Sequence, residues 1–269
     1  MRVACLLLLP LLASCVKVAE ETVVLPDGSG KLTFTIAFKA TPGKDERPEE
    51  DFLNTDPDDI LKNLEGIVAV ARPKAEVREG WRYITLTFYF DDINRVKCYQ
   101  TGDDRKDRKL TQEFSFRREN DGFSLTIDGS MMGDKSMPAN GDTSKMPEDV
   151  RKGAEEAFRE MISGFEFRQS ARLPGRITSV EGFQTSDGRS ATFRVDGDEL
   201  VKMKPEDRRK WEEIKRFKTT CGPSEISESE QEEFHREIEK AKADWTELKK
   251  EMKKRAEEKR GNTKKPVDK

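Results

Sequence analysis

Histidine occurs once in the 269 residues, at position 235. A multi-histidine metal centre is therefore excluded, and any serine–histidine or cysteine–histidine chemistry has to pass through His235. Charge of one sign is lacking too. Fifty basic residues nearly cancel 53 acidic ones and leave a net −3, whereas a nucleic-acid binder carries a clear basic excess. No nucleic-acid partner is expected. No apolar run after residue 13 approaches the roughly 20 residues of a membrane-crossing helix, and no P-loop, GxSxG or GxGxxG pattern occurs. Neither a metal nor a cofactor is expected. What is plentiful is phenylalanine, fifteen in all, in a chain that is 34% hydrophobic and 38% charged. That is enough to build a core and argues against wholesale disorder.

The apolar residues begin at the amino terminus. Arg2 precedes a run from Val3 to Ala13, which is too short for a permanent span and reads as an export signal over residues 1–14. Its ending, Leu12-Ala13-Ser14-Cys15, resembles the bacterial lipobox, in which the signal is cut just before a cysteine that carries a diacylglycerol. The resemblance implies lipidation of Cys15, with acyl chains such as palmitate holding the protein at a membrane of the cell envelope. Each buried acyl CH₂ contributes about 0.8 kcal/mol. An ordinary secretory signal with a chance cysteine is the alternative. Val16 is not the aspartate that retains some lipoproteins at the inner membrane, and the choice between inner and outer membrane stays open, as does a periplasmic or external face.

Four cysteines then reduce to two. Cys5 leaves with the signal and Cys15 takes the lipid, so Cys98 and Cys221 are the thiols exposed to an oxidising compartment. One disulfide between them would stabilise by about 4–5 kcal/mol on the chain-entropy model. Two unpaired, partly buried thiols are the equal alternative.

Along the mature chain, residues 15–21 read as a tether and residues 22–204 as a sheet domain. Strands are expected at 22–25 and 31–39, around the turn Pro26-Asp27-Gly28-Ser29-Gly30, and at 81–90, where both faces are apolar and a central position follows. Residues 112–118 and 123–128 flank Asn120-Asp121-Gly122, a hairpin signal. Further strands are expected at 165–173, 177–180 and 190–195. One helix starts after Asp56 with Pro57 at its first position and continues through Val68; another runs from 147 to 163. This order predicts an α+β fold, a mainly antiparallel sheet with two covering helices. Residues 205–269 differ in composition, with 36 of 65 charged, and read as a charged helical extension. A short helix bearing Trp211, Ile214 and Phe217 precedes a longer one from about Glu228, capped by Ser227 with Glu230. On the longer helix Phe234, Ile238, Ala241, Trp245, Leu248 and Met252 form a narrow seam at spacings of four and three. Docking on the protein's own sheet domain is the preferred reading, and a partner helix or a second copy is the alternative.

Candidate sites are few. His235 reads as a solvated helix-surface residue. Acidic clusters at 56–59, 91–92 and 103–104 lack EF-hand spacing, and the first is explained by helix capping. The stretch 129–146 holds Met131, Met132, Met137 and Met146 among Gly, Ser, Asp and Lys, a candidate contact loop for lipid or protein. Local packing of those methionines is the plainer reading. Residues 249–269 carry ten basic and four acidic residues, an end that suits anionic headgroups or an acidic polymer, or simply a solvated terminus.

The segment Phe165-Glu-Phe-Arg-Gln-Ser-Ala-Arg-Leu-Pro-Gly-Arg-Ile-Thr-Ser-Val-Glu-Gly, followed by Gly188-Arg-Ser-Ala-Thr-Phe-Arg-Val, resembles the LppM-type domain of bacterial lipoproteins, over about residues 20 to 200. The resemblance implies envelope lipid or glycolipid binding by a non-catalytic domain and carries over no catalytic residue. The expected function is a lipid-anchored envelope binding module for lipid, glycolipid or protein. The alternatives are an assembly lipoprotein acting through the C-terminal seam and a tethered hydrolase using a carboxylate pair.

Overall fold

A computed structural model describes residues 16–40, 48–100, 109–129, 148–203 and 214–262. Period-two alternation builds its first sheet. In β1 (Val16–Val24), β2 (Gly30–Lys39) and β6 (Trp81–Phe90), Thr22, Val24, Leu32, Phe34, Phe88 and Phe90 point inward and are buried. β1 also pairs in parallel with β10 (Glu166–Arg172), which continues through β13 (Ser190–Asp196) to β12 (Thr185–Asp187). Two short strands, β4 (Ala69–Val70) and β5 (Lys74–Arg78), share the other side of β6, so β6 is flanked on both sides as its two apolar faces predict. The second sheet runs β11 (Gly175–Glu181), β14 (Arg216–Ser224), β9 (Gly122–Gly129), β8 (Lys109–Glu119), β7 (Lys97–Gln100) and β3 (Leu64–Glu65), all antiparallel.

The two sheets pack inner face to inner face. Phe193 of β13 meets Phe217 of β14 with ring centroids 5.1 Å apart, and Phe183 lies 5.2 Å from Phe217. Each phenylalanine buried here contributes about 1.5–3 kcal/mol. The architecture is α+β with mostly antiparallel sheets, as expected.

Helices occupy the remaining surfaces. Asp56 caps α2 (Pro57–Leu61) by accepting from the Asp58 N–H at 3.0 Å, but the helix ends seven residues short of the expected Val68. The chain enters β3 instead, and Gly66 at φ +77°, pressed against the Arg95 carbonyl, turns it from β3 toward β4. α1 (Pro48–Leu53) packs beside β5. α3 (Glu148–Ile162) packs on α4 (Gly197–Lys202). The long α5 (Glu228–Asn262) starts with the expected reciprocal cap, Glu230 N–H to Ser227 Oγ at 3.2 Å and Ser227 N–H to Glu230 Oε2 at 2.9 Å. It lies against β4 and β6 of the first sheet and against α1 and α2.

Three expectations are corrected. The tether expected at 15–21 is strand from Val16 onward, paired opposite Phe38 at its first residue. The helix expected to carry Ile214 and Phe217 is the strand β14 over 216–224: Phe217, Thr219 and Cys221 alternate inward between half-buried or exposed neighbours, and β-branched threonines favour that backbone. The boundary at 204/205 accordingly separates no domain, because β14 is hydrogen-bonded between β11 and β9. The seam, by contrast, docks on the protein's own core, the preferred reading: Ile238, Ala241, Trp245, Leu248 and Met252 are all buried there and Phe234 packs against it.

Candidate functional site

Beyond the cover of α5, toward β1 and β10, the outer face of the first sheet carries small polar side chains. Register aligns Ala19, Thr35 and Thr85 in one row across β1, β2 and β6, and Glu21, Thr33 and Thr87 in the next. Glu21, Thr33, Thr35, Arg168 and Ser170 line a shallow depression of about 180 Å³. The Thr35 and Thr85 hydroxyls are 3.1 Å apart, and Ser170 Oγ donates to the Glu20 carbonyl at 3.3 Å. Hydroxyls with one carboxylate and one guanidinium supply donors and acceptors for a polar ligand.

α5 is fixed at the rim of this face by the turn between β1 and β2. Leu25 N–H bonds to the Ser29 carbonyl at 2.8 Å, and Gly28 turns the chain at φ +86°. Asp27 Oδ1 accepts from Ser29 N–H at 3.0 Å and from Ser29 Oγ at 2.7 Å, which leaves Oδ2 to meet His235 Nε2 at 2.8 Å. Burial pushes the Asp27 carboxyl up, but the hydrogen bonds from Ser29 and the contact with His235 together hold it below the usual aspartate value. Ser29 Oγ also lies 3.4 Å from the same imidazole nitrogen. Serine, histidine and aspartate thus meet, but Asp27 and Ser29 both address Nε2, so the ring does not stand between hydroxyl and carboxylate as a proton relay requires. Ser29 is only 5% exposed. Two residues on, Glu237 Oε1 accepts from Lys31 Nζ and Tyr89 Oη, both at 2.9 Å. Sequence reading took His235 as solvated because its partners are more than 200 residues away.

A second polar cluster is sealed between the sheets. Glu20, on the inner face of β1, is 1% exposed; its Oε1 accepts from Gln112 Nε2 of β8 at 3.1 Å, and Gln169 of β10 stands opposite it in register. Burial pushes the Glu20 carboxyl up to about 7, against the opposing pull of the two glutamines. Among the described residues, Glu20 Oε2, Gln112 Oε1 and Thr22 Oγ1 are buried with no partner at hydrogen-bond distance. Burial, and then the charge of Glu20, push the nearby Cys98 thiol up as well, which keeps it protonated and unreactive. Sequence reading placed Glu20 in a tether and so missed this cluster; the alternation of Glu20, Thr22 and Val24 was the available signal.

The remaining expected sites are scattered. Cys98 and Cys221 are free, buried thiols, and the disulfide is not formed. In the second sheet β14 and β7 are separated by β9 and β8, about 14 Å at ordinary strand spacing, far beyond disulfide reach. Asp92 caps a 3-10 turn, Ile93–Arg95, and Asp91 pairs with Lys242 at 2.9 Å, so this acidic pair serves structure. Among the described residues no group of His, Cys, Asp and Glu is arranged to hold a metal, and no helix is long and apolar enough to cross a membrane. Cys15, the acidic pair at 103–104 and the methionines Met131, Met132 and Met137 lie outside the described residues.

No known protein family and no curated protein sequence matches the chain. Among solved structures the fold is similar to the NMR structure of the folded domain of LppM from Mycobacterium tuberculosis, at 10% identity and a TM-score of 0.34, over 80% of this chain and 92% of that one.

Proposed function

We propose that the protein is a lipid-anchored module of the bacterial cell envelope that binds a ligand on its sheet face without catalysing a reaction. The observation that carries this reading is the sequence Leu12-Ala13-Ser14-Cys15 standing immediately ahead of the first paired residue of β1. An acyl group on Cys15 is then joined directly to a rigid sheet. The hydroxyl-lined depression on that sheet is the surface offered to lipid, glycolipid or protein. Non-catalytic action is supported by the Asp27–Ser29–His235 contacts, which fix α5 to the turn and bury the hydroxyl that a hydrolase would need exposed.

The anchor is tested by mass spectrometry of the mature amino terminus and by fractionation of Cys15→Ser. An acyl mass on Cys15, together with release of the variant into the soluble fraction, is the expected result; an unmodified Cys15 defeats the reading. Binding is tested on the anchored protein with Thr35→Trp, which fills the depression. Copurifying lipid or protein is expected to fall while membrane attachment is unchanged.

A further inference from the structure

The first sheet has one end at which the chain has no slack. Val16 is already paired opposite Phe38, and a single residue spans at most about 3.6 Å, so an acyl group on Cys15 brings the neighbouring strand ends with it to the bilayer. At those ends Lys39 and Arg78 both stand opposite Trp81, one from β2 and the other from β5. The Lys17 ammonium lies 4.6 Å from the centre of the Trp81 ring, and the Arg78 guanidinium lies 4.1 Å from that of Tyr83. Arg82 follows on β6, opposite Phe38. Of these four cations, Arg78 pairs with Glu76 at 3.5 Å and Lys17 with Glu166 at 3.7 Å, an acid that Arg194 also meets at 3.3 Å. β5 is exposed along its whole length, and its Val77 is 60% exposed, the most of any large apolar residue described. Tryptophan and tyrosine among lysine and arginine, beside an exposed apolar side chain, match the composition that settles at a membrane–water interface. Cations there are drawn to anionic headgroups.

We propose that this end of the first sheet, centred on Trp81 with Lys39, Arg78 and Val77, rests on the anionic headgroups of the membrane that holds the anchor. The proposal depends on the lipid-anchor reading of Cys15 for its placement. It sets the strands end-on to the bilayer, so that the depression opens beside the headgroups.

The test uses the mature protein with Val77→Cys carrying a nitroxide, reconstituted into phosphatidylcholine vesicles with and without phosphatidylglycerol. The buried Cys98 and Cys221 do not compete for the label. Val180→Cys, on β11 at the far edge of the second sheet, is the reference. The label at 77 is expected to show oxygen and nickel accessibilities of the interface when phosphatidylglycerol is present, and the label at 180 those of water. Lys39→Glu with Arg78→Glu, both surface changes, should return 77 to water-like values. In the unlipidated Cys15→Ser chain, partition onto the same anionic vesicles should drop about fivefold for each cation neutralised. A label at 77 as water-exposed as that at 180, on protein whose Cys15 carries its acyl mass, overturns the proposal and leaves the anchor standing. An unmodified Cys15 with a protected label at 77 does the reverse.

Discussion

Glu20 and Asp27 stand on one hairpin, the first inside β1 and the second in the turn that follows, and the fold treats the two carboxyls in opposite ways. Glu20 is sealed between two sheets with one donor at 3.1 Å and one oxygen unpartnered, and burial lifts it to about 7. Asp27 is half exposed, collects two hydrogen bonds from Ser29 and meets His235, and is held below its ordinary value. The difference lies in the number of donors that reach each carboxylate once water has been removed. Opposite pH dependences follow. Below about 4.5 Glu20 is protonated in both folded and unfolded chains; as pH rises to about 7 the unfolded chain ionises first, and the fold loses about 3 kcal/mol. The contribution of Asp27 is present above its unfolded value near 3.8 and is lost as pH falls through the lower folded value. These two groups together place the stability maximum between the windows, at mildly acidic pH.

Removing the titratable proton from the core breaks this contrast most strongly. Glu20→Gln keeps the shape and cannot ionise, so urea denaturation at pH 8 should show it about 2–3 kcal/mol more stable than the parent, with no loss between pH 5 and 8. Gln112→Leu sharpens the contrast from the other side. It withdraws the donor at 3.1 Å and leaves Glu20 without it, which should cost about 1–3 kcal/mol and carry the pH-dependent loss above pH 7. Asp27→Asn has the smallest effect, about 0.5–1 kcal/mol near pH 6 and shrinking as pH falls through the lowered folded value, because the site is half exposed and water replaces part of what is lost. Amide exchange in the first turns of α5 should rise in that variant while β14 is unchanged.

Much of the fold was legible where a local period is clean. The alternation of Leu32, Phe34 and Ile36 and the ten-residue run of β6 read directly as strands, and the Ser227–Glu230 cap and Asp56 were recognised from spacing alone. Legibility failed where a segment is polar but paired. Glu20 looked like linker because a buried glutamate is rare, and the stretch 205–220 looked helical because charge density masked the alternation that starts at Phe217 and Thr219. The site fared worse for a different reason. His235 and Asp27, or Glu20 and Gln112, come together only through strand order and helix docking, and no local spacing encodes a partner so far along the chain.

The position of β14 bears on how the protein is made. Residues 216–224 occupy an interior place in the second sheet, between β11 and β9, while β1 waits for β10, about 150 residues downstream, before its second edge is satisfied. Neither sheet is complete in a nascent chain until most of it has been synthesised, and contacts closed across such separations form slowly. On the export and anchoring proposed above, machinery that threads unfolded polypeptide is thereby given time. A chain terminated near residue 204 would keep the edges of both β9 and β11 open to other strands, the situation in which aggregation begins.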